Sequence, residues 1–159
     1  MKVRDIMTRD VVSVQRDTSI NEIAKVMGAR NISGVPVVDD DGAIAGIITE
    51  LDVILRNTRL DIPHFIQILD LGAIPLELPG HYQERLRHML GTQAKDVMSK
   101  DVVTIEADDS VETLAKLMVK RRVNPVPVVE GGRLVGIVSR ADLIDMMAAE
   151  MNAPAAAEE

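Results

Sequence analysis

Between Ile20 and Met27 the apolar residues fall three and four apart, at Ile20, Ile23, Ala24 and Met27. That spacing puts one apolar face on an α-helix. Ser19 and Glu22 just at its start have capping-box spacing. Beyond Asn31 the period changes. GVPVVD and AIAGIIT are short apolar runs separated by Asp40-Asp41-Gly42, which predicts two strands joined by a tight turn. A short strand, DVVSV, is expected before the helix, and a short helix, LDVILRN, after the hairpin. The predicted unit is β-α-β-β-α.

The whole pattern occurs twice. Asp5, Met7, Asp10, Val11, Val12, Asp17, Ser19, Ala24, Lys25, Met27, Arg30 and Val35 to Val38 all recur 91 residues later. After a one-residue difference in the turn, where Gly131-Gly132 takes over, Gly46, Ile47, Asp52 and Ile54 recur 90 residues later. The second copy opens on DVVTI, repeats the helix face at Val111, Leu114, Ala115 and Met118, and closes on ADLIDMM. Its cap pairs Ser110 with Thr113, a weaker signal than Ser19 with Glu22. One such unit is too small to bury its own sheet face, and two facing copies solve that problem. The expected organisation is repeat 1 over residues 1–55, a helical insert over 56–93, repeat 2 over 94–148 and a flexible tail over 149–159. Pro63 and Pro79-Gly80 mark candidate helix starts in the insert.

Composition narrows the class. Hydrophobic residues make up 47% of 159, enough for a packed core, while Phe65 and Tyr82 are the only aromatics. The core is therefore aliphatic, and base-stacking nucleic-acid modules are disfavoured. A formal charge of −7 argues the same way. With no cysteine, thiolate chemistry is excluded. No signal peptide or membrane-spanning run is legible, so a cytoplasmic protein with no nucleic-acid or membrane partner is expected.

The chemistry-bearing pattern is GIITELDVI at 46–54 and GIVSRADLI at 136–144, which place Thr49 with Asp52 and Ser139 with Asp142. Two readings fit. A hydroxyl followed three residues later by a carboxylate at a helix start can cap the helix, although Glu or Gln is the preferred partner. Free N–H groups and the helix dipole at the same place also suit a phosphate.

With DVMSKDVVTI-type openings, x-V-P-V-V-D/E strands and G-h-h-S/T-x-x-D junctions in order, twice, the chain resembles the tandem cystathionine-β-synthase (CBS) domain pair, or Bateman module. The resemblance implies an α/β (or α+β) fold of two β-α-β-β-α repeats packed sheet to sheet with pseudo-two-fold symmetry. It implies a regulatory module rather than an enzyme, no required cofactor, and pairing into a homodimer. The implied ligand is adenosine-containing: AMP, ADP or ATP, less readily S-adenosylmethionine or cyclic di-AMP. The family's ribose-binding acid falls on Asp142 and Asp52. An adenine slot falls on Ile32, Ser33, Gly34 and Val35, or on Val123, Asn124, Pro125 and Val126. Slot and acid come from opposite repeats, so Asp142 is expected with Ser13 and Ile32–Val35, and Asp52 with Thr104 and Val123–Val126. A carboxylate suits the role because it accepts strong hydrogen bonds from both ribose hydroxyls.

The copies differ beside the hydroxyl. Arg140 follows Ser139 and can pair with a phosphate, whereas Glu50 follows Thr49 and repels one, so the Asp142 site is expected to be the better phosphate site. Other candidates are weaker. His64, His81 and His88 have no second ligand at metal spacing, Met7, Met27, Met98 and Met118 read as core, and Asp39 to Gly42 reads as a turn rather than a calcium loop. No nucleophile–base pair or Gly-rich phosphate loop is present. The competing function is a dimerisation or protein-interaction scaffold with vestigial ligand sites, its output passing to an unknown effector protein.

Overall fold

A computed structural model of the chain describes residues 1–57 and 92–152. The insert helices expected within 58–91 lie outside the described residues. In the first repeat α1 (Val3–Ile6) precedes α2 (Ile20–Arg30), β1 (Gly34–Val38), β2 (Ile44–Thr49) and α3 (Glu50–Asn57). In the second, α4 (Ala94–Val97) precedes β3 (Ile105–Glu106), α5 (Val111–Arg121), β4 (Val126–Glu130), β5 (Arg133–Val138) and α6 (Arg140–Asn152).

The long helices form where the apolar spacing predicts. Ser19 Oγ accepts the Glu22 N–H at 3.2 Å, and Ser110 Oγ accepts the Thr113 N–H at 3.1 Å. The weaker second signal thus gives an equivalent N-cap. Ile20, Ile23 and Met27 are buried along α2, as are Val111, Leu114 and Met118 along α5. Both helices stop on a left-handed residue, Asn31 (φ 51°) and Arg122 (φ 53°). β1 pairs antiparallel with β2 from Gly34–Thr49 to Val38–Ile44, and β4 pairs with β5 in the same way.

The opening strands expected at DVVSV and DVVTI are largely absent. In the first repeat only Val14 bridges to β1, through Val14 N–H to Pro36 O (3.0 Å) and Val38 N–H to Val14 O (2.9 Å). In the second, only Ile105–Glu106 pairs, parallel to β4. The residues before these points leave the sheets to line cavities between the repeats. The expected tail also starts too early, since α6 continues through Asn152.

Each repeat sends its first residues into the other. Val3 donates to Asp109 O (2.9 Å) and Arg4 to Ala107 O (3.0 Å); reciprocally, Ala94 donates to Thr18 O and Lys95 to Arg16 O, both at 2.8 Å. Val3, Ile6 and Met7 join Ile105, Leu114, Met118, Val126, Val128 and Val138 in one core. Ala94, Val97 and Met98 join Ile20, Ile23, Met27, Val35, Val37 and Ile48 in the other. Glycine makes room for the crossing: a Cβ on Gly46 would sit 2.5 Å from Met98 Sδ, and one on Gly136 would strike Met7 Sδ. The four repeated methionines therefore pack as core residues, two of them in the opposite repeat.

Candidate functional site

Two of the cavities between the repeats are related as the repeats are. The first, of about 390 Å³, is walled by Ile32, Ser33 and Gly34, by Ser139, Arg140 and Asp142 at the β5–α6 junction, and by Thr8, Asp10, Val11 and Val12. The second, of about 440 Å³, has Val123, Asn124 and Pro125, then Thr49, Glu50 and Leu51 at the β2–α3 junction, then Ser99, Asp101, Val102 and Val103. Slot and junction come from opposite repeats in both. Between the cavities Gly34 lies against Pro125, where an added Cβ would be 2.5 Å from Pro125 Cδ. The Asn124–Pro125 peptide is cis.

The sequence candidates divide. Asp142, Ser139, Arg140, Ile32, Ser33 and Gly34 meet in the first cavity, and Thr49, Val123, Asn124 and Pro125 in the second. Val35 and Val126 do not reach a cavity: both are strand residues with 0% exposure in the two cores. Ser13 and Thr104 are exposed and line neither cavity, because the chain offers the adjacent valines, Val11 and Val12 or Val102 and Val103, instead. Asp52 is half-buried beside Thr49 but outside the second cavity's walls. Nor does Arg140 belong to the Asp142 cavity alone; it borders both. Residues missed on sequence are Asp10, Asp101 and the paired valines, all present in the exact repeat but assigned to strands, and Arg122, which follows α5.

The carboxylate half of the capping box forms in both junctions, and its hydroxyl half only at Ser139. Asp142 Oδ2 accepts the Ser139 N–H (2.6 Å) and hydroxyl (2.7 Å), and Asp142 N–H is 3.5 Å from Ser139 Oγ. Asp52 Oδ2 accepts the Thr49 N–H (2.8 Å) and hydroxyl (3.1 Å). Only one oxygen of each carboxylate is used. The Oδ1 atoms have no hydrogen-bond partner among the described residues, leaving an acceptor for an outside donor. The first N–H of α6 is satisfied by Asn124 Oδ1 at 2.8 Å, and that of α3 by Ser33 O at 2.9 Å.

The CBS-domain family model matches residues 3–57 and 94–149. The chain belongs to the CBS-domain family. As a CBS pair it is 32% identical over 154 residues to an uncharacterized protein of Methanocaldococcus jannaschii, covering 92% of this chain and 91% of the relative. It is also 32% identical over 146 residues to a CBS domain-containing protein of Dictyostelium discoideum (91% and 90% covered). Among solved structures, CBSX2 in complex with AMP superposes with a TM-score of 0.72 at 19% identity over 95% of this chain and 98% of that one. The CBS domain pair of protein MJ0100, in complex with 5-methylthioadenosine and S-adenosyl-L-methionine, gives a TM-score of 0.66 at 26% identity (92% and 99% covered). The fold is thus the α+β tandem CBS fold. Among the described residues no helix is long and apolar enough to cross a membrane, and no cluster of His, Cys, Asp or Glu could hold a metal ion. The three histidines lie outside the described residues.

Proposed function

We propose that this CBS pair is a regulatory module that binds an adenosine-containing ligand in the cavities between its repeats. AMP, ADP or ATP is favoured over S-adenosylmethionine or cyclic di-AMP, and binding is not followed by turnover. The observation that carries this reading is the first cavity. An apolar slot at Ile32–Gly34 faces a carboxylate with a spare oxygen, Asp142, and a helix start bearing Arg140. Asp142 Oδ1 accepts from the ribose hydroxyls, the slot takes the base, and the phosphate lies toward Ser139 and Arg140. Both cavities fall within the usual size for small-molecule sites. The ligands held by CBSX2 and by the MJ0100 pair support an adenosine scaffold. In the second cavity Thr49 and Val123–Pro125 play the matching parts, and Asp52 enters through Oδ1 once ligand draws it inward.

Output follows only if ligand favours one arrangement of the repeats. Leu51, Ile54 and Leu55 of α3 and Ile144, Met147 and Met151 of α6 are exposed apolar residues, a surface suited to a second copy of the chain in a cytoplasmic homodimer that an effector protein reads.

The test is thermal unfolding against AMP, ADP, ATP, S-adenosylmethionine and cyclic di-AMP, with each shift taken from the variant's own ligand-free Tm. Ligand at a hundred times its Kd stabilises by about 2.7 kcal/mol, a shift of roughly 5–10 °C for a chain of this size. At least one adenosine ligand gives that shift, and Asp142→Ala removes more of it than Asp52→Ala. No shift with any of them would instead support the scaffold, with the Asp side chains serving as caps alone.

A further inference from the structure

The two cavities share a wall. Ser33, Asn124, Pro125 and Arg140 border both of them. Asn124 is fixed there, accepting from the Arg140 N–H at 2.8 Å and donating to Ser33 Oγ at 3.4 Å. Arg140 differs from the other three. It is exposed, and its guanidinium has no hydrogen bond or ion pair among the described residues. Its counterpart in the duplication, Glu50, borders the second cavity only. One unpaired cation thus stands between two cavities where strict two-fold symmetry would supply two.

The surroundings make that cation valuable on both sides. The first cavity carries two carboxylates, Asp10 and Asp142, and among the described residues no cation besides Arg140. The second carries Glu50 and Asp101 against Arg122 and Arg140. An anionic ligand entering either one meets like charge unless a guanidinium turns to it. A guanidinium pairs in its favourable two-bond geometry with one phosphate at a time.

We propose, resting on the nucleotide reading above, that Arg140 couples the two cavities: it engages the phosphate of whichever nucleotide binds first, so the second binds without it. Phosphate-bearing adenosine ligands then fill the pair with negative cooperativity, and an uncharged one fills it independently. The coupling is reciprocal, so neither cavity is the regulator of the other. At low ligand the chain holds one nucleotide, and the second enters over a higher concentration range.

The experiment is calorimetric titration of the full chain with AMP and with adenosine. It uses wild type, Arg140→Ala, and two variants that each fill one cavity, Val12→Trp for the first and Val103→Trp for the second. Wild type should bind AMP in two steps separated roughly ten-fold beyond the statistical factor for equal sites, and adenosine without that separation. Each single-cavity variant should bind one AMP more tightly than the second step of wild type. Adding Arg140→Ala should weaken that binding roughly ten-fold in both and leave adenosine binding unchanged, which also reports that the variants are folded. If Arg140→Ala weakens AMP in only one single-cavity variant, Arg140 serves one site and the coupling is overturned. It is equally overturned if wild type binds two AMP with no separation. If neither AMP nor adenosine binds, the nucleotide reading itself falls and the coupling with it.

Discussion

The segments that cross between the repeats, residues 3–7 and 94–98, do the same apolar work but are held differently at the surface. The first is tied down by ion pairs: Lys2 to Asp108 at 2.7 Å, and Arg4 to Asp108 at 2.9 Å and Glu130 at 3.0 Å. At the duplicated positions stand Gln93, Lys95, Asp17 and Asp39, and Asp39 is already taken by Arg16. Lys95 and Asp17 have no ion pair among the described residues. What the two crossings share is burial, backbone hydrogen bonding and a glycine opposite a methionine. The crossing therefore depends on packing, and the exposed ion pairs add little to it.

The largest test of that equivalence removes core on either side. Ile23→Ala and Leu114→Ala, both at 0% exposure, should each cost about 2–5 kcal/mol. Because each core contains residues from both repeats, either variant should melt in one transition in calorimetry. Two separate transitions, with one unmoved by the substitution, would show that the halves are independent. Next, Gly46→Val and Gly136→Val should destabilise by about 1–3 kcal/mol by pushing on Met98 and Met7. Chemical denaturation that found one of the two neutral would mean that its crossing is loosely packed.

A smaller effect should separate the two helix starts. Asn124→Ala deprives the first N–H of α6 of its acceptor and should cost about 1 kcal/mol. Ser33→Ala should cost less, because at α3 the acceptor is the backbone carbonyl of Ser33, which survives the change. The least effect is electrostatic. The Lys2 hydrogen bond, helped by the Arg4 and Lys2 charges and opposed by partial desolvation, holds the Asp108 carboxyl below its usual range. A depressed carboxylate contributes stability that is present above its unfolded-state pKa, about 4. That contribution is lost as pH falls through the lower folded value. Comparing Tm of wild type with Asp108→Asn should give a small gap above about pH 5 that closes in acid. A gap that widened on acidification would contradict this assignment.

The repeats, the two long helices and both hairpins were legible because a period of 3.6 or 2 is written directly in residue type. The crossing was not, since nothing local in VRDIM or AKDVM says which repeat their apolar side chains enter. The opening strands were misjudged for a related reason. Apolar runs such as DVV read as strands, yet here Val11, Val12, Val102 and Val103 line cavities rather than a sheet. At the junctions the spacing of Ser139 and Asp142 was legible as a cap, and the bonds that form there leave one carboxylate oxygen without a partner among the described residues. Ser13 and Thr104 were misplaced because the paired valines beside them, not the hydroxyls, turn toward the cavities.

The exchange of opening segments also bears on how the chain matures on the ribosome. Lys2 meets Asp108 across a sequence separation of 106 residues, and the first core needs Ala94, Val97 and Met98 before it closes. At roughly 5–20 residues per second, the first repeat emerges seconds before the piece that completes it. It waits as an unfinished sheet, and topologies dominated by such distant pairings are slow to form. Neither half holds a complete core of its own. A nascent chain stalled before residue 94 should be more open to protease and chaperone than half of a duplicated protein would suggest.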